Sequence, residues 1–292
     1  MNPVVSCIIL NYRTPREARQ CVRALQAQTI AKDIEILIVD NHSDDESIQW
    51  LRNSFACHPE QARGELGESI EGRHAKKEVM VRRAHHDIVV FETRANLGYG
   101  KGNDFAIRRA TGKYILIINP DNELEPRGLE RMVAAMEADP SIGIVAPQLV
   151  HEDGTIRDSY RTFPTVTDIF IKRNRFLRSL FPHRMRRYLQ HAEDPHTIRD
   201  VDWIAGACLL MRRDFYRELG GFDPRFFLFF EDTDLCRRAW NAGKRVVYFP
   251  AVHATDRKHR LSEGGILSIL TKRATRIHVW SAMQYFWKWR RV

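Results

Sequence analysis

ETRANLGYGKGNDFAIRRATGKYILIINPDNEL, residues 92–124, holds in order a strand end, a glycine-rich turn, a helix and a second strand closed by polar residues. YILII at 114–118 is a short continuous apolar run, which is what a strand covered on both faces needs. It stops at Asn119-Pro120-Asp121. Residues 100–110 before it read as a helix opened by glycines.

Outward from this unit the pattern repeats. VVSCIIL (4–10), EILIV (35–39), IVVFE (88–92) and residues 142–147 read as buried strands. Between them, residues 15–28 place Ala18, Cys21, Val22, Leu25 and Ala27 at helical spacing, with Thr14 as N-cap and Pro15 in the first turn. Residues 47–55 and 129–138 are further helices. The alternation predicts an α/β fold with a mostly parallel central sheet flanked by helices. In such sheets ligands gather at the carboxyl ends of strands. Polar residues follow three of them here, as Asn11-Tyr12, Asp40-Asn41 and Asn119-Pro120-Asp121-Asn122.

Residues 56–87 break the rhythm with charge, glycine and histidine, and read as a surface insertion. Its His58, His74, His85 and His86 read as solvated loop side chains. The second half is less regular. VDWIAGACLLM (201–211) reads as one buried strand with close backbone packing at Gly206, and RVVYF (245–249) as a strand ending at Pro250. Residues 214–220 and 231–242 read as helices, and 271–289 as an amphipathic helix carrying Trp280, Tyr285, Phe286, Trp287 and Trp289 among Lys and Arg.

The formal charge of +9 over 292 residues is unevenly placed. Residues 172–190 hold seven Lys/Arg and no acid, and residues 255–292 hold nine against Asp256 and Glu263, so the remaining body is mildly acidic. Such clusters suit anionic lipid head groups, a pyrophosphate-bearing acceptor or nucleic acid. The five cysteines form no CxxC pair, which fits reduced core thiols and gives no disulfide framework or zinc site. No stretch has the ~18–20 apolar residues of a spanning helix, so the chain reads as soluble or peripheral.

Asp121, at a strand tip beside Asn119, Asn122 and Glu123, offers the oxygen ligands that Mg2+ or Mn2+ takes when a diphosphate supplies the rest. Turn chemistry alone also accounts for Asn-Pro-Asp-Asn. Glu231-Asp232-Thr233-Asp234 follows the aromatic run FFLFF at 226–230. Helix capping explains acids there, but apolar surroundings also raise a carboxyl pKa toward general-base use. The loop at 96–103 (NLGYGKGN) resembles a phosphate cradle without being a Walker A or GxGxxG sequence.

Taken together, VSCIILNYR, EILIVDNHSDD, the opening stretch and VDWIAGACLLMRRDFYRELGGFDPRFFLFFEDTDLCRRAWNAGKRVVYFP resemble the family 2 glycosyltransferases of GT-A fold, nearest to bacterial rhamnosyltransferases of O-antigen and exopolysaccharide synthesis. The resemblance implies an inverting transfer of a sugar, rhamnose first, from a dTDP- or UDP-linked donor to a glycan or polyprenyl-diphosphate-linked acceptor. It implies Asn11 and Tyr12 at the base pocket, with Asp40 accepting from a pyrimidine ring NH. Asn96, Gly98, Asn103 and Asn119 line the donor site, and Asp121 binds the divalent metal. Asp232 is the implied catalytic base, assisted by Glu231. Asn119 stands where many relatives have the first Asp of DxD. His253 is the late metal-ligating histidine, with His259 as competitor.

Residues 1–255 then form the catalytic domain, divided into a nucleotide-sugar half (1–125) and an acceptor half (126–255). Residues 256–292 form a basic amphipathic segment, set against an anionic membrane surface on the cytoplasmic side. Two rivals are weaker. A nucleotidyltransferase needs a glycine- and lysine-rich loop that IILNYRTPREA does not supply. A nucleic-acid binder is expected to show a recognisable module, and none is visible.

Overall fold

The computed structural model describes residues 3–55, 75–83, 86–190, 194–257 and 273–290. Its first half runs β1 (Val5–Asn11), α1 (Pro15–Gln26), β2 (Ile34–Asp40), α2 (Ser47–Phe55), β3 (Ala75–Arg83), β4 (His86–Thr93), α3 (Tyr99–Ile107), β5 (Tyr114–Ile118), β6 (Asn122–Leu124) and α4 (Gly128–Ala138). The second half runs β7 (Ile142–Val150), β8 (Tyr160–Arg161), α5 (Val166–Arg173), α6 (Arg175–Leu180), α7 (Pro182–Tyr188), β9 (Arg199–Asp200), β10 (Trp203–Ile204), β11 (Cys208–Arg212), α8 (Arg213–Glu218), α9 (Glu231–Asn241) and β12 (Arg245–Asp256). A last helix, α10, covers Arg273–Lys288.

One large sheet has the order β3-β4-β2-β1-β5-β11-β7-β12-β6, with β9 paired to β12. The strands β4, β2, β1 and β5 are parallel, as the alternating apolar runs require. Beyond β5 the sheet is mixed. β11 runs antiparallel to both β5 and β7, so Cys208 pairs with Ile118 at the β5 tip. Successive residues of the parallel strands bury on opposite faces. Cys7, Ile9, Ile36 and Ile38 join one core with α1, α2 and α4, while Ile8, Leu37 and Val39 join another with α3 and α9.

Several local expectations are corrected. The run at 201–211 is two short strands, because the chain turns at Gly206: Trp203–Ile204 pairs with Tyr160–Arg161 outside the main sheet, and only Cys208–Arg212 enters it. β12 does not stop at Pro250. It continues to Asp256 through a register shift between Phe249 and His253, where a residue without an N–H is tolerated. Thr14 makes no side-chain cap on α1; its N–H and hydroxyl both donate to Asn11 Oδ1 at 3.2 Å. Within the aperiodic insertion, Ala75–Arg83 is an edge strand antiparallel to β4. Cys57, His58, His74, His85 and His259 lie outside the described residues. Cys7, Cys21, Cys208 and Cys236 are buried free thiols.

α10 is docked on the body by its inner face. Tyr285 is fully buried with Phe226, Phe230 and Ala282, and its hydroxyl accepts from Arg237 at 3.1 Å. Buried Asp234 accepts from Trp289 Nε1 at 2.9 Å, pairs with Lys288 at 2.6 Å and pairs with Arg238 at 2.8 Å. Tyr285→Ala is expected to cost at least ~3 kcal/mol, as large aromatic truncations in cores do. Urea denaturation of the full chain measures it, and an unchanged midpoint would show that α10 is not part of the folded body.

Candidate active site

The tips of β1 and β2 are tied into one network. Asn11 is buried and donates from Nδ2 to Asp40 Oδ1 at 2.6 Å. Ser43 donates to both oxygens of Asp40, from its hydroxyl at 2.5 Å and its N–H at 3.1 Å. Asp40 therefore has protein donors of its own and is only 2% exposed. Tyr12, by contrast, is exposed at the strand tip, with Arg13 over its ring. Arg13, His42 and Asp44 all have positive φ near +55°, so the tip loops are sharply turned by residues that ordinarily avoid that region.

Asn41 joins these tips to the glycine loop. Its amide donates to Asn96 Oδ1 at 3.1 Å and to the Gly98 carbonyl at 3.2 Å, and its oxygen accepts from Leu97 N–H at 2.8 Å. Asn96 Oδ1 also accepts from Gly98 N–H at 2.9 Å. Gly98 has φ +79°, and a Cβ there would lie 2.2 Å from the Phe227 carbonyl oxygen, so no side chain fits. Asn103 is buried inside α3 and spends its amide on the Tyr99 carbonyl of its own helix.

Asn119 sits past β5, its N–H bonded to the Ala207 carbonyl at 2.8 Å. Asp121 follows, accepting from Asn122 Nδ2 at 3.3 Å. Asn122 Oδ1 is buried with no hydrogen-bond partner. One carboxylate beside neutral amide oxygens is a hard donor set that suits Mg2+ or Mn2+ once a diphosphate completes it. His253 lies elsewhere on this edge. Its imidazole faces Glu125 at 3.5 Å, and the strand position level with Asp121 is held by Arg257, whose N–H donates to the Asp121 carbonyl. Among the described residues no three His, Cys, Asp or Glu side chains gather into a ready metal cage.

Glu231 and Asp232 begin α9 after a strained approach. Phe229 and Phe230 both take left-handed φ, +70° and +69°, which costs ~1–3 kcal/mol for each residue. α10 holds them there: Ser281 donates to the Leu228 carbonyl at 2.8 Å, and Phe230 packs on Tyr285. Asp232 Oδ2 accepts from Gly206 N–H at 3.0 Å, and Oδ1 from Thr233 N–H at 2.7 Å. Burial raises the Asp232 pKa, against those hydrogen bonds and the Arg161 charge. Burial and then the Asp232 charge raise Glu231 well above the ordinary carboxyl range, and its Oε2 is buried without a partner.

The two acidic positions share one end of the sheet. Gly206 holds Asp232, while the adjacent Ala207 carbonyl holds the chain at Asn119. The Tyr99 phenol lies within electrostatic reach of Glu231, Asp232 and Asp121 together. The sequence places Asn41 at a strand tip without a specific role, gives none to Tyr99 or Thr233, and marks Gly206 only as a packing glycine. Tyr99 lay inside the quoted glycine loop, but only the fold shows what its hydroxyl meets.

This architecture, a mixed sheet whose strand tips meet an acidic helix start, is that of the GT-A nucleotide-sugar transferases. A profile described as "Glycosyltransferase like family 2" matches residues 3–278, and the chain belongs to that family. It is similar to the N-acetylglucosaminyl-diphospho-decaprenol L-rhamnosyltransferase of Mycobacterium tuberculosis, 29% identical over 185 residues that cover 59% of each chain. It is similar also to the Escherichia coli rhamnosyltransferase WbbL, 29% identical over 170 residues covering 56% of this chain and 61% of that one. The chain thus spans less than two thirds of the length of these relatives. Among solved structures, the Pyrobaculum calidifontis mannosyltransferase PcManGT in complex with GDP-Man and Mn2+ aligns with TM-score 0.55 at 16% identity, over 89% of this chain and 59% of that one. S. aureus TarS in complex with UDP aligns with TM-score 0.54 at 14% identity, over 87% and 60%. At these identities the likeness is one of fold.

Glu231 gives a pH signature. Its pKa is raised in the folded chain above the ordinary 4.5, so the folded state binds more protons than the unfolded state above that pH. Stability should therefore fall as pH rises from about 4.5 through the folded pKa. Glu231→Gln mimics the protonated acid and is expected to match wild type in acid and exceed it at neutral pH, measured by thermal melts across pH.

Proposed function

We propose that this chain is an inverting glycosyltransferase. It moves a sugar, rhamnose first, from a dTDP- or UDP-linked donor to a glycan or polyprenyl-diphosphate-linked acceptor during cell-surface polysaccharide synthesis. The observation that carries the reading is the placement of Asp232, a buried carboxylate at a helix start, on the same end of the sheet as Asp121. The catalytic unit is residues 1–255, with a donor half up to 125 and an acceptor half after it. Residues 256–292 form a basic appendage whose helix α10 packs on the acceptor half.

Asp232 takes the proton of the acceptor hydroxyl as that oxygen attacks the anomeric carbon from the side opposite the diphosphate. The carbon–oxygen bond to the diphosphate breaks and configuration inverts. Burial raises the Glu231 pKa, and in its protonated form Glu231 offers the acceptor a hydrogen-bond donor. Asn11, Tyr12 and Asp40 serve the base end of the donor, and Asn96, Gly98, Asn103 and Asn119 shape the loop and strand tip around its diphosphate. Asp121 would hold a divalent Mg2+ or Mn2+ ion, which would supply neutralisation of the leaving diphosphate. His253 serves the metal only by turning from Glu125. The sugar reading rests on Asn119-Pro120-Asp121 and on two similar proteins named as rhamnosyltransferases.

The mycobacterial relative is named for an acceptor linked to decaprenol diphosphate, and a comparable acceptor here would put the reaction beside a bilayer. We therefore place the chain peripherally on the inner face of the cytoplasmic membrane. Among the described residues no helix is long and apolar enough to cross a membrane. The exposed positions of α10 and the residues just after it are Arg273, Arg276, Trp280, Met283, Trp287 and Arg290, spaced three and four apart. A stripe on the outer face of a docked helix is ordinarily polar; here two tryptophans and a methionine lie between arginines, the pattern of an interfacial helix. α5 joins the same cluster through Ile169 and exposes Phe170.

A panel of nucleotide sugars assayed for diphosphate release tests the reaction. Asp232→Asn is expected to lower kcat at least ~100-fold. Asp121→Ala should abolish the stimulation by Mn2+ or Mg2+. No release with any dTDP or UDP donor would refute the reading. Membrane placement is tested by co-sedimentation with phosphatidylglycerol vesicles. Trp280→Ser/Trp287→Ser should bind about tenfold or more weakly, since each large side chain adds ~1.5–3 kcal/mol when buried. Equal binding by the variant would count against α10 as the contact. Point changes are cleaner here than deleting residues 271–292, which would also uncover the Tyr285 cluster.

A further inference from the structure

Tyr99 is bonded to both chain segments that flank the base. Its hydroxyl donates to the Gly206 carbonyl at 2.5 Å, and its N–H donates to the Phe227 carbonyl at 2.7 Å. Gly206 in turn gives its own N–H to Asp232 Oδ2. The ring stands edge-on to Phe222 with centroids 6.0 Å apart. A Cβ on Gly206 would lie 3.4 Å from both the Tyr99 hydroxyl and Asp232 Cβ. Tyr99 also begins α3 directly after Gly98, so it belongs to the loop assigned to the donor.

We infer that Tyr99 is a positioning residue that couples the donor loop to the acceptor base, by fixing Gly206 so that its amide holds Asp232. Gly206 has no side chain with which to anchor itself, and it sits where the chain turns between β10 and β11. A phenol suits the task because it is rigid and carries a single donor at its far end. Packing alone would be met by a phenylalanine. The bond from the hydroxyl to a main-chain carbonyl is what phenylalanine lacks. A donor that settles the glycine loop therefore also settles the carboxylate that deprotonates the acceptor. The titratable groups around Asp232 are Glu231, Arg161, Tyr99 and Cys236.

The inference rests on Asp232 being the base, and Tyr99→Phe tests it with the ring retained. The expected result is a kcat lowered about tenfold or more, as displaced catalytic groups show, with donor KM changed less than about twofold. The acid limb of the kcat/KM–pH profile should move to higher pH, because a carboxylate that loses an amide hydrogen bond ionises less readily. An unmoved acid limb overturns the inference, whether kcat is normal or has fallen together with Tm. The same shift can be read without turnover. The Asp232 carboxyl carbon, identified in aspartate-labelled protein by the signal missing from Asp232→Asn, should titrate at higher pH in Tyr99→Phe. A wild type that turns over no donor refutes the proposed reaction and leaves this titration to decide the role of Tyr99; equal titration in both proteins rejects it.

Discussion

Two adjacent phenylalanines in left-handed backbone conformation, Phe229 and Phe230, set the geometry on which the site depends. Nothing local favours them. They persist because Phe226 and Phe230 are buried against Tyr285 and Ala282, and because Ser281 ties down the Leu228 carbonyl. The reversal they produce starts α9 with Glu231 and Asp232 pointed at the strand tips. α10 is thereby a structural part of the same body as α9, even though it follows all the other described elements. Lys288 and Trp289 also cover the Asp234 carboxylate, together with Arg238 of α9, two residues along from Asp232.

The first half of the chain achieves its order differently. Parallel strands bring Asn11 and Asp40 side by side, and Asn41 then carries the network into the loop at Asn96–Gly98. The halves meet where β11 reverses direction against β5. There Ala207 holds Asn119, Gly206 holds Asp232, and Tyr99 reaches across from the glycine loop. Burial raises the pKa of both adjacent acids, and hydrogen bonding then separates them. Glu231 has an oxygen with no partner, whereas Asp232 has three donors that favour its charge.

The parallel half of the sheet was legible because each buried strand there is a short apolar run closed by polar residues. The mixed half was less so. Gly206 interrupts a continuous apolar run without any polar punctuation, so the turn there leaves no periodic signal. β12 passes through Pro250 by a register shift, which sequence punctuation reads as an end. Ala75–Arg83 is an edge strand of mostly charged residues, a composition common at sheet edges and easily taken for loop. The basic run at 172–190 drew attention by its charge and hid two short helices and the end of a third. At the site, Asp121 and Asp232 were visible as residue types in context. The Tyr99–Gly206 link was not, because it joins positions 107 residues apart through a carbonyl that any residue carries.

All of this turns on Asp121 and Asp232 opening onto a single cleft. The most direct measurement is anomalous diffraction from crystals of the full chain grown with Mn2+ and a dTDP or UDP donor. The account predicts a manganese peak at the Asp121 carboxylate bridging the diphosphate, with the sugar lying between that peak and Asp232. A peak away from Asp121, or a donor bound with its anomeric carbon turned from Asp232, would contradict it.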